Sequence, residues 1–225
     1  MKKIVFAAIA LFLILGTAHA QDQKLFRFGL SGSAGMSWMK PDQDSLEYQG
    51  SKFGVGYGFV GELNIASNFS LVTGFDVSYI GGKLQQAGVV HAFDSANILL
   101  STKNSTYKLQ YLDIPFTLKM KTNEINYIVY YARIGGSFGI ALGGKAEDEF
   151  VSIGGAKNET INIDKLGSDM AFMRANFVIG AGFEYSLGGS TTALVEASFT
   201  NGLTYLLDDT KAIGNFMALK FGIMF

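Results

Sequence analysis

The stretch Asn215 to Phe225 sets the tightest limit on the fold. Met217, Leu219, Phe221, Ile223 and Phe225 alternate with Phe216, Ala218, Lys220, Gly222 and Met224, so one face is wholly apolar and the other is small or mixed. A period of two residues is the mark of a β-strand. Terminal residues usually fray into water, and a last strand needs a neighbour for its backbone groups. The stretch is therefore expected to close a barrel by pairing with the first strand, Phe26 to Trp38.

The same alternation recurs upstream. Phe26, Phe28, Leu30, Met36 and Trp38 share one face of the first strand; Phe53, Val55, Tyr57, Phe59, Leu63 and Ile65 share one face of the second. Further strands run through Phe69–Tyr79, Leu112–Met120, Ile128–Leu142, Met173–Tyr185 and Ala193–Leu203. Short links at Ala66-Ser67-Asn68, at Lys121 to Glu124 and at Gly188-Gly189-Ser190 alternate with longer polar segments at 42–51, 81–106, 143–170 and 206–214. About eight strands with tight turns on one rim and long loops on the other form the pattern of a bacterial outer-membrane barrel. The expected fold is all-β, an eight-stranded antiparallel up-and-down transmembrane β-barrel with a side-chain-filled interior, over residues 21–225.

Residues 1–20 read as a secretory signal peptide: Lys2 and Lys3, an apolar run from Ile4 to Leu15, then Ala18-His19-Ala20 in a small-x-small cleavage pattern. The run is shorter than the roughly 20 residues of a spanning helix. Removal of this segment leaves 16 basic against 19 acidic residues, a net of −3, with no basic stripe. That balance argues against a nucleic-acid partner held by counterion release. With no cysteine, the chain has neither a disulfide nor a site for lipid attachment at a cysteine.

Alternation alone does not distinguish a membrane barrel from a soluble ligand carrier with its faces exchanged. Composition favours the membrane, because an eight-stranded interior is just wide enough for side chains to fill. A chain with 28 glycines and 19 phenylalanines suits an interior of small residues and an exterior of aromatic ones. The inner face then carries Arg27, Lys119, Arg133, Arg174 and Lys220 beside Glu62, Asp76, Asp113, Glu184 and Glu196. Unpaired, such charges would cost several kcal/mol each, so a mutually paired plug is expected rather than a pore. Trp38, Phe53, Tyr79 and Tyr205 on the long-loop side, and Phe26, Phe69, Tyr130, Tyr185 and Phe225 near the opposite rim, fit two aromatic girdles.

The run Tyr111-Leu112-Asp113-Ile114-Pro115 resembles the Tyr-Leu-Asp/Glu-Ile-Pro signature of the PorT-like outer-membrane β-barrel family. Asp113 and Pro115 share the interior face, and Pro115, lacking an N–H, predicts a bulge or a lost ladder bond. The resemblance implies insertion into a Gram-negative outer membrane with both termini at the periplasmic side. It also implies that Phe221, Ile223 and Phe225 serve as a recognition signal for the barrel-assembly machinery. One branch of the family is an accessory of a protein-secretion and gliding apparatus.

Chemistry-bearing patterns are few. Gly56-Tyr57-Gly58-Phe59-Val60-Gly61 matches G-x-G-x-x-G, but its glycines lie within an alternating strand, whereas dinucleotide binding needs a strand, a tight turn and a helix start. His91, beside Asp94 and Ser95, is the one histidine after the signal segment. It raises the alternative of a lipid-modifying enzyme, since a catalytic His needs a nucleophile and an orienting acid. Glu147, Asp148, Glu149, Asp164 and Asp169 lack the spacing of a calcium loop. No cofactor or metal is expected. The readings open at this point are a non-enzymatic barrel in outer-membrane lipid that binds a protein partner through 81–106 and 143–170 or its periplasmic rim, a secretion accessory, a lipid-modifying enzyme and a soluble carrier.

Overall fold

The computed structural model describes residues 25–94, 97–153, 157–207 and 210–225; the expected signal peptide lies outside the described residues. Among the described residues nine strands follow one another: β1 (Phe26–Pro41), β2 (Leu46–Ala66), β3 (Phe69–Asp94), β4 (Asn97–Lys121), β5 (Ile128–Ser152), β6 (Asn158–Ile163), β7 (Met173–Gly188), β8 (Thr191–Tyr205) and β9 (Ala212–Met224). All neighbours pair antiparallel, and eight strands close a ring in the order β1-β2-β3-β4-β5-β7-β8-β9. The seam is the β1–β9 ladder, unbroken from Gly29 opposite Met224 to Pro41 opposite Ala212. It is completed by the Phe225 amide donating to the Phe28 carbonyl at 2.7 Å. Closure removes the unpaired edges that an open sheet would present.

The greasy residues are on the outside. Leu30 is 64% exposed, Met217 60% and Phe53 70%, and the outward side of each ring strand repeats the pattern with Phe28, Tyr57, Phe75, Phe116, Phe138 and Phe221. A soluble carrier with inverted faces is thereby ruled out. Aromatic rings stack along this surface, Phe28 on Phe59 at 6.3 Å and Phe59 on Phe75 at 5.7 Å. The residues of both expected girdles lie on it as well, Phe26, Phe69, Tyr130, Tyr185 and Phe225 being exposed near the short-turn rim.

The long rim departs from expectation. Residues 81–94, 97–106 and 143–152, expected within loops, instead continue β3, β4 and β5 past the ring, and β6 adds to the free side of β5 from Ala146 opposite Ile163 to Val151 opposite Asn158. The expected loop at 42–51 likewise ends early, because β2 begins at Leu46. One face of the extension is still buried, but it mixes polar residues (Ser101, Ser105, Asp148) with apolar ones (Leu84, Tyr107, Phe150), so the hydrophobic alternation fades while pairing persists. At the opposite rim the β4–β5 turn is centred on Asn126 and Tyr127, not on 121–124. Both have positive φ, 50° and 67°, and Ile125 and Ile128 exchange two backbone hydrogen bonds across them. Two left-handed central residues suit the right-handed twist of a hairpin.

Candidate functional site

The interior charges form layers. Nearest the short-turn rim, Lys119 Nζ donates to Glu62 at 2.9 Å and to Glu184, while Arg27 donates to Glu184 at 2.8 Å. Lys121, expected in a turn, joins this layer by donating to Glu62 at 2.8 Å and to Asn64 at 2.7 Å. It continues the odd-numbered inward series of β4 through Thr117 and Lys119, the signal by which it could have been found. Above it, Arg133 donates to Glu196 at 2.6 Å, Lys220 to Asp76 at 2.9 Å, and the Lys119 ammonium stands 4.2 Å from the centre of the Tyr131 ring. All ten charges named from the sequence make ion pairs inside the ring.

The next layer explains the chemistry of the Tyr111–Pro115 run. Asp113 accepts two hydrogen bonds from Arg174, 3.2 Å from Nε and 2.7 Å from Nη2, and a third from the Ser78 hydroxyl at 2.6 Å. Arg174 in turn lies 4.3 Å from the centre of the Tyr111 ring, a residue with 0% exposure. Gly139 makes the space: a Cβ there would fall 2.5 Å from Asp113 Oδ1 and 2.7 Å from Arg174 Cγ. Leu112 and Ile114 alternate to the outward face. At Pro115 the β3–β4 pairing lapses between Val72 opposite Thr117 and Asp76 opposite Asp113, then resumes without a shift. The proline thus costs ladder bonds rather than forming a bulge, and Gly74, with φ of 144°, occupies the matching position on β3.

Above Arg174 the lumen turns apolar, against the expectation of a uniformly small and charged interior. Met39, Ile80, Leu84, Leu109, Tyr111 and Leu206 pack with Leu166 and Met170 in one buried cluster. The last two arrive on a segment that returns from β6 through a single 3₁₀ turn, Gly167–Asp169, fastened by the Leu166 amide to the Gly144 carbonyl and the Ala171 amide to the Leu206 carbonyl, both at 3.0 Å. Ion pairs below and a hydrocarbon cap above fill the lumen; among the ion-pair layers lie cavities of about 70 and 20 Å³. A water molecule occupies ~30 Å³ in the liquid, so spaces of this size do not amount to a conduit.

Candidate residues on the extension are held by their neighbours. His91 Nε2 is 2.9 Å from Glu159 Oε2, and the imidazole stacks on Phe150 at 3.8 Å with Phe93 at its edge. Ser95 lies outside the described residues, so the expected His91–Ser95 juxtaposition has no described geometry. The acidic run on β5 splits by alternation: Asp148 turns inward to Lys103 at 2.8 Å and Ser105 at 2.6 Å, while Glu147 and Glu149 turn outward. Among the described residues no group of three or more His, Cys, Asp or Glu side chains is placed to hold a metal ion. Gly56 to Gly61 sits wholly within β2, with Gly58 so close to β3 that a Cβ would meet the Phe75 carbonyl oxygen at 2.0 Å.

Among solved structures, Ail, the attachment invasion locus protein of Yersinia pestis in complex with the heparin analogue sucrose octasulfate, is similar at 16% identity and a TM-score of 0.37, covering 90% of this chain and 100% of that one. Neisserial surface protein A is similar at 9% identity and a TM-score of 0.46, covering 88% and 95%. The outer membrane protease OmpT from Escherichia coli is similar at 8% identity and a TM-score of 0.37, covering 93% and 99%. No curated protein matches the sequence. The description "Outer membrane protein beta-barrel domain" matches residues 19–208, and the chain belongs to that family.

Proposed function

We propose that the protein is a non-enzymatic outer-membrane barrel that works by binding a protein partner on the extension of β3 to β6. The observation that carries this reading is the contrast between a lumen filled by ion pairs and an apolar cap, and a long paired extension that the ring does not need for closure. A sealed lumen leaves external surfaces as the place for function. In this reading both termini and the short turns face the periplasm, and Phe221, Ile223 and Phe225 form the signal read by the barrel-assembly machinery. The Tyr111–Pro115 run resembles the signature of the PorT-like family, and an accessory of a secretion and gliding apparatus, one branch of that family, is the alternative within this reading.

A lipid-modifying enzyme built on His91 is the second reading, favoured by the 2.9 Å contact to Glu159, which could orient an imidazole. The test is an affinity pull-down from gently solubilised outer membranes, using the full chain and a variant with 87–99 replaced by a short turn. Stoichiometric recovery of one protein by the full chain and its loss from the variant are expected. An unchanged recovery would move the partner site to the periplasmic rim, and no recovery together with a lipid profile altered by His91→Ala would favour the enzyme.

A further inference from the structure

A groove of about 990 Å³ opens where the extension leaves the ring. Its lower wall is apolar and aromatic, with Phe53, Tyr79, Leu142 and Phe172, and all four are exposed. Its upper wall is cationic. Lys108 on β4 lies directly opposite Lys145 on β5 and is paired on its other side with Gly81, whose ideal Cβ position is 3.4 Å from the Lys52 side chain. Like charges directly opposite each other weaken a strand pair. A transverse row of lysines is therefore retained against the preference of the sheet itself. Among the described residues of the groove wall, Asp164 pairs with Lys145 at 3.2 Å, and both groups are largely exposed.

The row stands immediately above the outer aromatic girdle, at the depth where hydrocarbon gives way to headgroups. Cations at that depth attract anionic lipid, and the aromatic wall below meets acyl chains. We infer that this groove binds a phosphorylated membrane lipid, with Lys52, Lys108 and Lys145 on the phosphate and Phe53, Leu142 and Phe172 along the chains. The charge of the wall selects the headgroup; its position beside the girdle selects a lipid over a soluble anion.

The inference rests on the barrel being embedded in a membrane, and holds whether or not the extension binds a protein. Its test is native mass spectrometry of the detergent-solubilised barrel in micelles doped separately with dioleoyl phosphatidic acid, dioleoylglycerol or inorganic phosphate. The wild type should retain phosphatidic acid, and neither of the others at the same concentration. K108Q/K145Q should weaken retention roughly 25-fold, about fivefold for each lysine, while K108R/K145R keeps it. Heat-dependent gel migration verifies that each variant is folded, which separates loss of the groove from loss of the barrel. Equal retention by K108Q/K145Q, equal binding of dioleoylglycerol, or equal binding of inorganic phosphate would each overturn the inference.

Discussion

Arg174 lies over the ring of Tyr111 at 4.3 Å while closing two hydrogen bonds on Asp113, so the first and third residues of the Tyr-Leu-Asp-Ile-Pro run act on a single guanidinium. The run is a cradle for one arginine, built two residues apart because alternate residues share a face. Leu112, between them, and Ile114, after them, serve the opposite face, toward lipid.

Replacing Arg174 by Met should leave the partly buried Asp113 beside Ser78 with no cation. Removing one member of a buried pair costs about 3–5 kcal/mol. Urea unfolding in detergent should show that loss, and Arg174→Met with Asp113→Leu should recover most of it, since an apolar pair of similar volume needs no counter-charge. A single variant as stable as wild type would remove the pair from the account.

Gly139→Ala tests the same layer from the neighbouring strand. The added methyl would fall within 3 Å of both Asp113 and Arg174. Overpacking of this kind costs about 1–3 kcal/mol. The unfolding midpoint should drop accordingly, whereas Gly143→Ala, where a Cβ would meet nothing within 4 Å, should leave it in place.

Much of this was legible in the sequence because a membrane barrel writes its two faces into alternate residues. Strand existence, the outward aromatics and the ten inward charges all follow from that single period. The extension was not legible: its buried face mixes Ser101, Ser105 and Asp148 with Tyr107 and Phe150, so 81–106 and 143–170 carry no continuous apolar stripe and read as loops. The apolar cap was missed for a different reason. Leu109 and Tyr111 share the inward parity of Asp113 and Lys119, yet the expectation of a small, charged lumen assigned apolar residues to the outside. Leu166 and Met170 reach the cap along a return segment with no periodicity at all.

The terminal strand gives a prediction about biogenesis. Phe225 donates its amide to Phe28 and lies 5.8 Å, ring to ring, from it. Deleting Phe225 should lower the amount of folded barrel in the outer membrane more than it lowers synthesis, measured by heat-modified gel migration of fractionated membranes against total protein. Normal membrane levels would count against Phe221, Ile223 and Phe225 as an assembly signal.

Lys52, at one end of the lysine row, should also titrate early. Lys52 sits above the girdle, and its ammonium is held below the usual lysine value of 10.5 first by burial, then by Lys108 and Lys83, with Glu147 opposing. The sign follows from proton counting: below 10.5 the unfolded chain keeps a proton that folded Lys52 has begun to lose, so this group adds stability as pH rises. Phosphatidic acid retention should move the other way, weakening with rising pH before an ordinary lysine would titrate. Lys52→Gln should shift that decline upward; an unchanged pH profile would exclude Lys52 from the site.

The most direct measurement of the central claim is conductance of the purified barrel in a planar bilayer. A lumen closed by the Glu62–Lys119–Glu184 layer, the Asp113–Arg174 pair and the apolar cap predicts no unitary channel openings at moderate voltage. Steady, reproducible openings from folded protein would contradict it.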